Sequence, residues 1–370
     1  MNKRLKETLQ YVLGIGLGAG LLYLAFRDLD YIRLRNSIRG FSYWWLGPAF
    51  LVGWLSHWFR AWRWKLLIKA AGYEASKKNA FWSVMVGYMT NNAVPRLGEI
   101  TRCTMLYRAS GVPMVSGVGT VVTERALDVL LLLVFMGLLF LLEVDKLTAY
   151  FDQAGTTGDT GDGGTVLLIL AGVGVLVVGL AILFRRPLLR TKLGAKVWKL
   201  ALGLIEAVLS IRKLRNWPLF ILLSFAIWGM YTLYAYTMLM GMNNTPEAPL
   251  YFAFVATVMG AIGMAFPTPG GIGPYHNAII ITFLLFGLSR EVGQTAAVIL
   301  HTPQYIFAIL WGAIGYFYLI FQQRKTQQRQ VVQPLRQDDA PTEEANTPTS
   351  GTLTESDTNQ QGQETTEATS

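Results

Sequence analysis

Cysteine occurs once, at Cys103, so no intrachain disulfide framework can form, and no paired Cys/His spacing surrounds it to hold zinc or an iron cluster. Charge is also scarce, with 15% of the 370 residues charged against 52% hydrophobic. Several apolar runs are long enough to cross a bilayer core of about 30 Å, which excludes a soluble reading. Nucleotide-binding glycine loops, acidic metal motifs in loops and Ser/His constellations are missing as well. No metal or cofactor is expected.

What is present is arranged for a membrane. Complete spans are expected near 7–26, 43–59, 118–142, 165–184, 218–240 and 294–320. The first run has no small-residue cleavage site after it, so it reads as a retained helix. Two further stretches, 80–110 and 250–288, are interrupted by NNAVPRLGE and PTPGGIGP, and each reads as two short helices meeting at a polar turn. The second also reads as two full spans, 250–266 and 272–288. The expected fold class is therefore an all-α polytopic membrane bundle of six full spans plus two broken or re-entrant hairpins, eight to ten apolar helices in all.

The net charge of +9 comes from basic residues crowded into particular loops, which points to topology and not to nucleic acid. With the N-terminus in the cytoplasm, 22 of the 32 Lys and Arg fall in inner loops and 6 in outer ones. Both termini are then cytoplasmic, in a bacterial inner membrane. On that topology the two broken segments enter from opposite sides, the pattern of an inverted-repeat transporter with its site near the midplane. The membrane domain is expected over 1–321. It includes a segment, 185–215, that sets Leu193, Val197, Leu200, Leu204 and Val208 against Lys192, Lys196, Lys199 and Arg212. That segment lies along the cytoplasmic leaflet or packs on its own protein. The stretch DQAGTTGDTGDGG reads as a flexible outer loop without calcium-ligand spacing. Residues 322–370 carry almost no large apolar side chains and read as a disordered tail.

Ionisable groups at membrane depth are costly and mark function by default. Here Arg96, Glu99 and Arg102 follow the first break, and Glu124, Arg125 and Asp128 follow on the next span. Glu124 and Asp128 are four apart and share a helix face, while Arg125 and Asp128 are three apart and can pair. Three acids and three arginines suggest a nearly neutral network with room for one more anion. Asn91 and Asn92 precede Pro95, which stops a helix, and Gly98 lets the next one start. A kinked helix whose polar groups only satisfy the kink fits the same residues. In the second break Pro267, Pro269, Gly270, Gly271, Gly273 and Pro274 leave backbone groups that must be buried in protein or line a cavity. His276 follows, as a satisfied structural group or a proton shuttle.

Three stretches, NNAVPRLGEITR, TVVTERALDVLLLL and PTPGGIG, make residues 7–320 resemble the lysylphosphatidylglycerol synthase transmembrane-region family of flippase-like proteins. The family pattern falls on Asn92, Pro95, Arg96, Gly98, Glu99 and Arg102, on Glu124, Arg125 and Asp128, and on Pro269, Gly270, Gly271 and Gly273. Many members carry Glu where this chain has His276. The resemblance implies a lipid-translocating module, since aminoacyl transfer in the synthases belongs to a separate soluble domain that these residues do not contain. The leading expectation is a non-enzymatic lipid flippase or transporter for an anionic phospholipid or lipid-linked sugar, with membrane lipids as partners and Arg96, Arg102 and Arg125 meeting the phosphate. A membrane-embedded lipid transferase using Glu99, Glu124 and Asp128, and a non-transporting subunit of an envelope-lipid assembly complex, are the alternatives.

Overall fold

The computed structural model of the chain describes residues 3–146, 211–212, 214–243 and 249–332. Two compact units, Met1–Thr326 and Gln327–Ser370, divide the chain. The expected span 165–184, the loop 152–164, the amphipathic segment up to 210 and the tail from 333 lie outside the described residues.

Ten α-helices are found among the described residues. They are α1 (Lys3–Phe26), α2 (Tyr31–Arg39), α3 (Leu46–Ala70), α4 (Lys77–Ala93), α5 (Leu97–Ser110), α6 (Met114–Leu142), α7 (Trp217–Met240), α8 (Pro249–Met264), α9 (Pro274–Leu285) and α10 (Arg290–Val332). Short 3₁₀ turns occur at Tyr43–Trp45 and Pro269–Gly271. The starts follow local chemistry. Asp30 caps α2 by accepting from the Ile32 and Arg33 amides at 2.9 and 3.1 Å, and Ser76 caps α4 by accepting from Asn79 at 3.0 Å. Pro218 and Pro274 stand in the first turns of α7 and α9, where a missing N–H costs nothing.

The all-α class holds, but the six-span count does not. Among the described residues three helices are long and apolar enough to cross a membrane: Met114–Leu142, Trp217–Met240 and Arg290–Gln323. Of the expected first span, the described part of α1 holds a shorter apolar stretch, Ile15–Phe26. The expected second span runs into Arg60 and Arg63, which belong to the body of α3 and are buried there. With that count falls the inverted-repeat expectation, because the opposite entry of the two broken segments was drawn from the same six-span topology.

Two cores organise the described helices. One joins Met238, Leu239, Phe252, Ile279 and Phe283 from α7, α8 and α9. The other joins Trp64, Ile68, Phe81, Met85 and Leu106 from α3, α4 and α5. Helix α6 presents Val122, Leu130, Leu133, Val134 and Leu141 outward, a surface that acyl chains can wet without cost.

Residues 80–110 form an antiparallel pair, α4 and α5. At its open end Asn79 donates to the Ala109 carbonyl and the Ser110 hydroxyl, and at its closed end the Gly98 amide donates to Asn91 Oδ1 at 2.7 Å. The chain reverses through Arg96, whose φ of 65° is the one left-handed non-glycine residue among those described. Backbones touch where the two helices meet, so that a Cβ on Gly98 would collide with the Gly87 carbonyl oxygen.

Candidate functional site

Three helices bring charged side chains to one place, and a fourth adds two hydroxyl groups. Arg60 and Arg63 come from α3, Arg102 from α5, and Glu124, Arg125 and Asp128 from α6, with Ser224 and Tyr231 of α7 closing the far side. The spacing explains the convergence. Arg60 and Arg63 are three apart, Glu124 and Asp128 four apart, so each helix offers both groups on a single face.

Glu124 is the hub and is fully buried. Its Oε1 accepts from Arg60 Nη1 at 2.8 Å and Arg125 Nη2 at 2.7 Å, and its Oε2 lies 3.2 Å from Arg102 Nη1. Asp128 accepts from Arg63 Nη2 at 2.6 Å and Arg60 Nη1 at 2.9 Å, with Arg125 Nη2 at 3.3 Å. Arg60 also donates twice to the Tyr231 hydroxyl, at 3.2 and 2.9 Å, and Arg63 donates to Ser224 Oγ at 3.1 Å. The Arg102 guanidinium stands over the Trp64 ring, 4.8 Å from its centroid.

Four guanidinium groups thus face two carboxylates. Several donors in the cluster are buried without a hydrogen-bond partner among the described residues: Arg63 Nε, Arg102 Nε and Nη2, and Arg125 Nε. Arg102 is only 4% exposed, so its free donors are expensive to leave unmet. The cluster opens through Arg125, whose side chain is 41% exposed.

The sequence-predicted residues divide between this cluster and a second one. Arg102, Glu124, Arg125 and Asp128 meet as described, including the Arg125–Asp128 pair and the shared face of Glu124 and Asp128. Arg96 is exposed and forms no ion pair among the described residues. Glu99 receives a single long contact, from Asn91 Nδ2 at 3.5 Å, and takes no part in the salt bridges. Pro95 and Gly98 shape the α4–α5 turn. Sequence reasoning does not find Arg60 and Arg63, because a second span ending at residue 59 leaves them among the basic residues counted in the loop that follows. The available signal was the apolar and aromatic helical run that carries on past them, from Trp54 and Trp58 to Trp62 and Trp64.

The second cluster joins the two broken segments. Asn92 Nδ2 donates to the Tyr305 carbonyl at 3.3 Å, and Tyr305 hydroxyl donates back to the Asn92 carbonyl at 3.1 Å. Gly270 lies against both residues, and its carbonyl is 3.0 Å from His301 Nε2. Pro269, Gly270 and Gly271 form the tight 3₁₀ turn itself. Gly273, at φ 92°, packs its Cα side against the Gly18 carbonyl of α1, and its amide donates to His276 Nδ1 at 3.4 Å. His276 is buried between Phe26 and His301, with ring centroids 5.4 and 4.9 Å away. It serves here as a satisfied group that closes the start of α9. Among the described residues no group of three or more His, Cys, Asp and Glu is placed to hold a metal ion.

A cavity of about 460 Å³ lies elsewhere, lined by Asp30, Arg33, Asn36, Asn243 and Glu291 among others, and it includes none of the sequence-predicted site residues.

Comparison with known proteins agrees with this architecture. Residues 11–312 match the family model described as the lysylphosphatidylglycerol synthase TM region. A UPF0104 membrane protein of Methanocaldococcus jannaschii is 40% identical over 76 residues, 20% of this chain and 23% of that protein. A second one from the same organism is 26% identical over 231 residues, 61% of this chain and 92% of that protein. A third, from Methanothermobacter thermautotrophicus, is 24% identical over 284 residues, 69% of this chain and 80% of that protein. No solved structure matches significantly. These three relatives are archaeal, and loop charge, which reads sidedness, carries no information about the organism. With a match that spans most of its length and three helices fit to cross a bilayer, the chain is a multi-pass membrane protein and belongs to the flippase-like lysylphosphatidylglycerol synthase TM region family.

Proposed function

We propose that this chain carries an anionic phospholipid or lipid-linked sugar between leaflets, and that the arginine-rich cluster binds the phosphate of its headgroup. The observation that supports this reading is the surplus of buried cation over anion. Four arginines share two carboxylates, and Arg102 keeps two N–H donors without a partner. A phosphate supplies both the missing charge and the missing acceptor oxygens, two of which can pair with the planar fork of a guanidinium. Arg125, at the exposed edge, makes the first contact. The reading is of a transporter: Glu124 and Asp128 are both engaged as ion-pair partners, which disfavours either of them as an acid or base.

Purified protein in liposomes should move labelled phosphatidylglycerol between leaflets faster than protein-free vesicles do. Arg125→Gln, at a partly exposed position, should keep the fold and slow that movement by about ten- to a hundredfold, the worth of one charged hydrogen bond in an apolar site. Transport equal to that of empty vesicles would remove the transporter reading and favour a non-transporting subunit.

The orientation proposed with it keeps both termini in the cytoplasm. Removing Arg60 and Arg63 from the loop count leaves the excess of basic residues on the same side. Reporter fusions after Lys78 and Arg215 should therefore report cytoplasm and one after Gly161 the outside. Reversal at two of the three would overturn the orientation.

A further inference from the structure

Helix α2 stands between two helices with apolar stretches, yet none of its nine residues is buried. Its two sides differ. Arg33, Leu34, Asn36 and Ser37 line the 460 Å³ cavity. At 100° per residue, Tyr31, Ile32, Arg35 and Arg39 fall on the opposite side. That outer side is apolar and basic at once. Tyr31 is 76% exposed, Ile32 nearly as much, and the turn that follows adds Tyr43 and Trp44, the latter 90% exposed. Arg33 is held by Asp30 at 3.3 Å and Glu291 at 3.9 Å. Arg35 and Arg39 form no ion pair among the described residues, so their charge is free for a partner.

Chain connectivity restricts where this face can be. The apolar stretch Ile15–Phe26 ends four residues before α2 begins its first turn, and α3 starts at Leu46 with Phe50 and Leu51 exposed. Residues 27–45 therefore stand at the edge of the apolar slab, at headgroup level. Trp and Tyr concentrate at that level because a ring with one polar edge suits it, and arginine reaches lipid phosphate from the same place.

We propose that the outer face of α2, with the Tyr43–Trp44 turn, rests in the bilayer interface and binds anionic lipid headgroups through Arg35 and Arg39. Tyr31 and Ile32 enter the acyl boundary, and the two guanidinium groups meet phosphate. The cavity side of the same helix stays with the protein. This surface shares no residue with the arginine cluster on α3, α5 and α6, so it stands or falls independently of the transport reading.

The test uses the full chain in lipid nanodiscs with a nitroxide at Ile32→Cys, in a Cys103→Ala background to leave one thiol. Discs are made with phosphatidylcholine alone and with one third phosphatidylglycerol. The expected result is a label more accessible to oxygen than to a water-soluble nickel complex, with a greater depth in the anionic discs. Each basic side chain near an anionic surface is worth about a fivefold factor in partition, so Arg35→Gln with Arg39→Gln should abolish the dependence on lipid charge. Thermal unfolding of each variant checks that the fold is intact. A label equally open to nickel in both discs would overturn the proposal, as would a double variant that keeps the full lipid dependence. Strong dipolar coupling between labels on two copies would also overturn it, because a second chain would then cover the face.

Discussion

Glu124→Gln is expected to destabilise the folded chain by about 3–5 kcal/mol, the cost of removing one partner from a buried ion pair. The change keeps the shape of the side chain and deletes one charge, so its effect isolates electrostatics. Four arginines would then be left with Asp128 as their one carboxylate, and three of them, Arg60, Arg63 and Arg102, are buried where solvent does not relieve the repulsion. Titration with a denaturing detergent measures the loss. Asp128→Asn offers an internal comparison: its side chain is partly exposed where Glu124 is not, so it should cost less. Equal and small effects at both positions would show that the cluster does not hold the helices together.

Gly98→Val is the second large effect expected, and its origin is purely steric. At Gly98 the nearest obstacle is the backbone oxygen of Gly87, with Asn91 Oδ1 also in the way at 2.7 Å. A rotamer change relieves crowding against a side chain, but here α4 and α5 themselves must separate. That separation breaks the Asn91 to Gly98 amide hydrogen bond and moves Arg102, one turn further on, away from Glu124. A loss of about 3 kcal/mol, the upper end for overpacking, is expected in the same titration, together with loss of lipid movement. Gly119→Val, where nothing lies within 4 Å, serves as the control and should leave stability unchanged.

How far these positions could be read from the sequence depended on the kind of signal each one carries. The turn between α4 and α5 was legible because Pro95 and Gly98 act locally, through missing donors and missing Cβ atoms. Glu124, Arg125 and Asp128 were legible because ionisable residues on an apolar helix have few places to go. Arg60 and Arg63 were hidden by their neighbours Lys65 and Lys69, which made the run look like the basic edge of a loop. The charge count that orients a chain treats every arginine as solvated, whereas these two are buried in α3 against acids more than sixty residues away. Arg96 was drawn into the site by its sequence neighbourhood. Its left-handed backbone instead makes it the pivot of the turn, and its side chain remains outside the salt bridges. Six full spans were expected for a related reason. Hydropathy windows do not register that α3 needs its polar half inside the protein and not in lipid.

The separation along the chain between the α3 arginines and their acids governs the order in which the protein can be made. Arg60 emerges from the ribosome 64 residues before Glu124 and 68 before Asp128. At about 5–20 residues per second that interval lasts several seconds. During it α3 carries two uncompensated charges and has no stable place in the hydrocarbon. Stable insertion of α3 is therefore expected to await α6, so that a nascent chain arrested before residue 124 should leave a cysteine placed beside Arg60 accessible to a water-soluble thiol reagent.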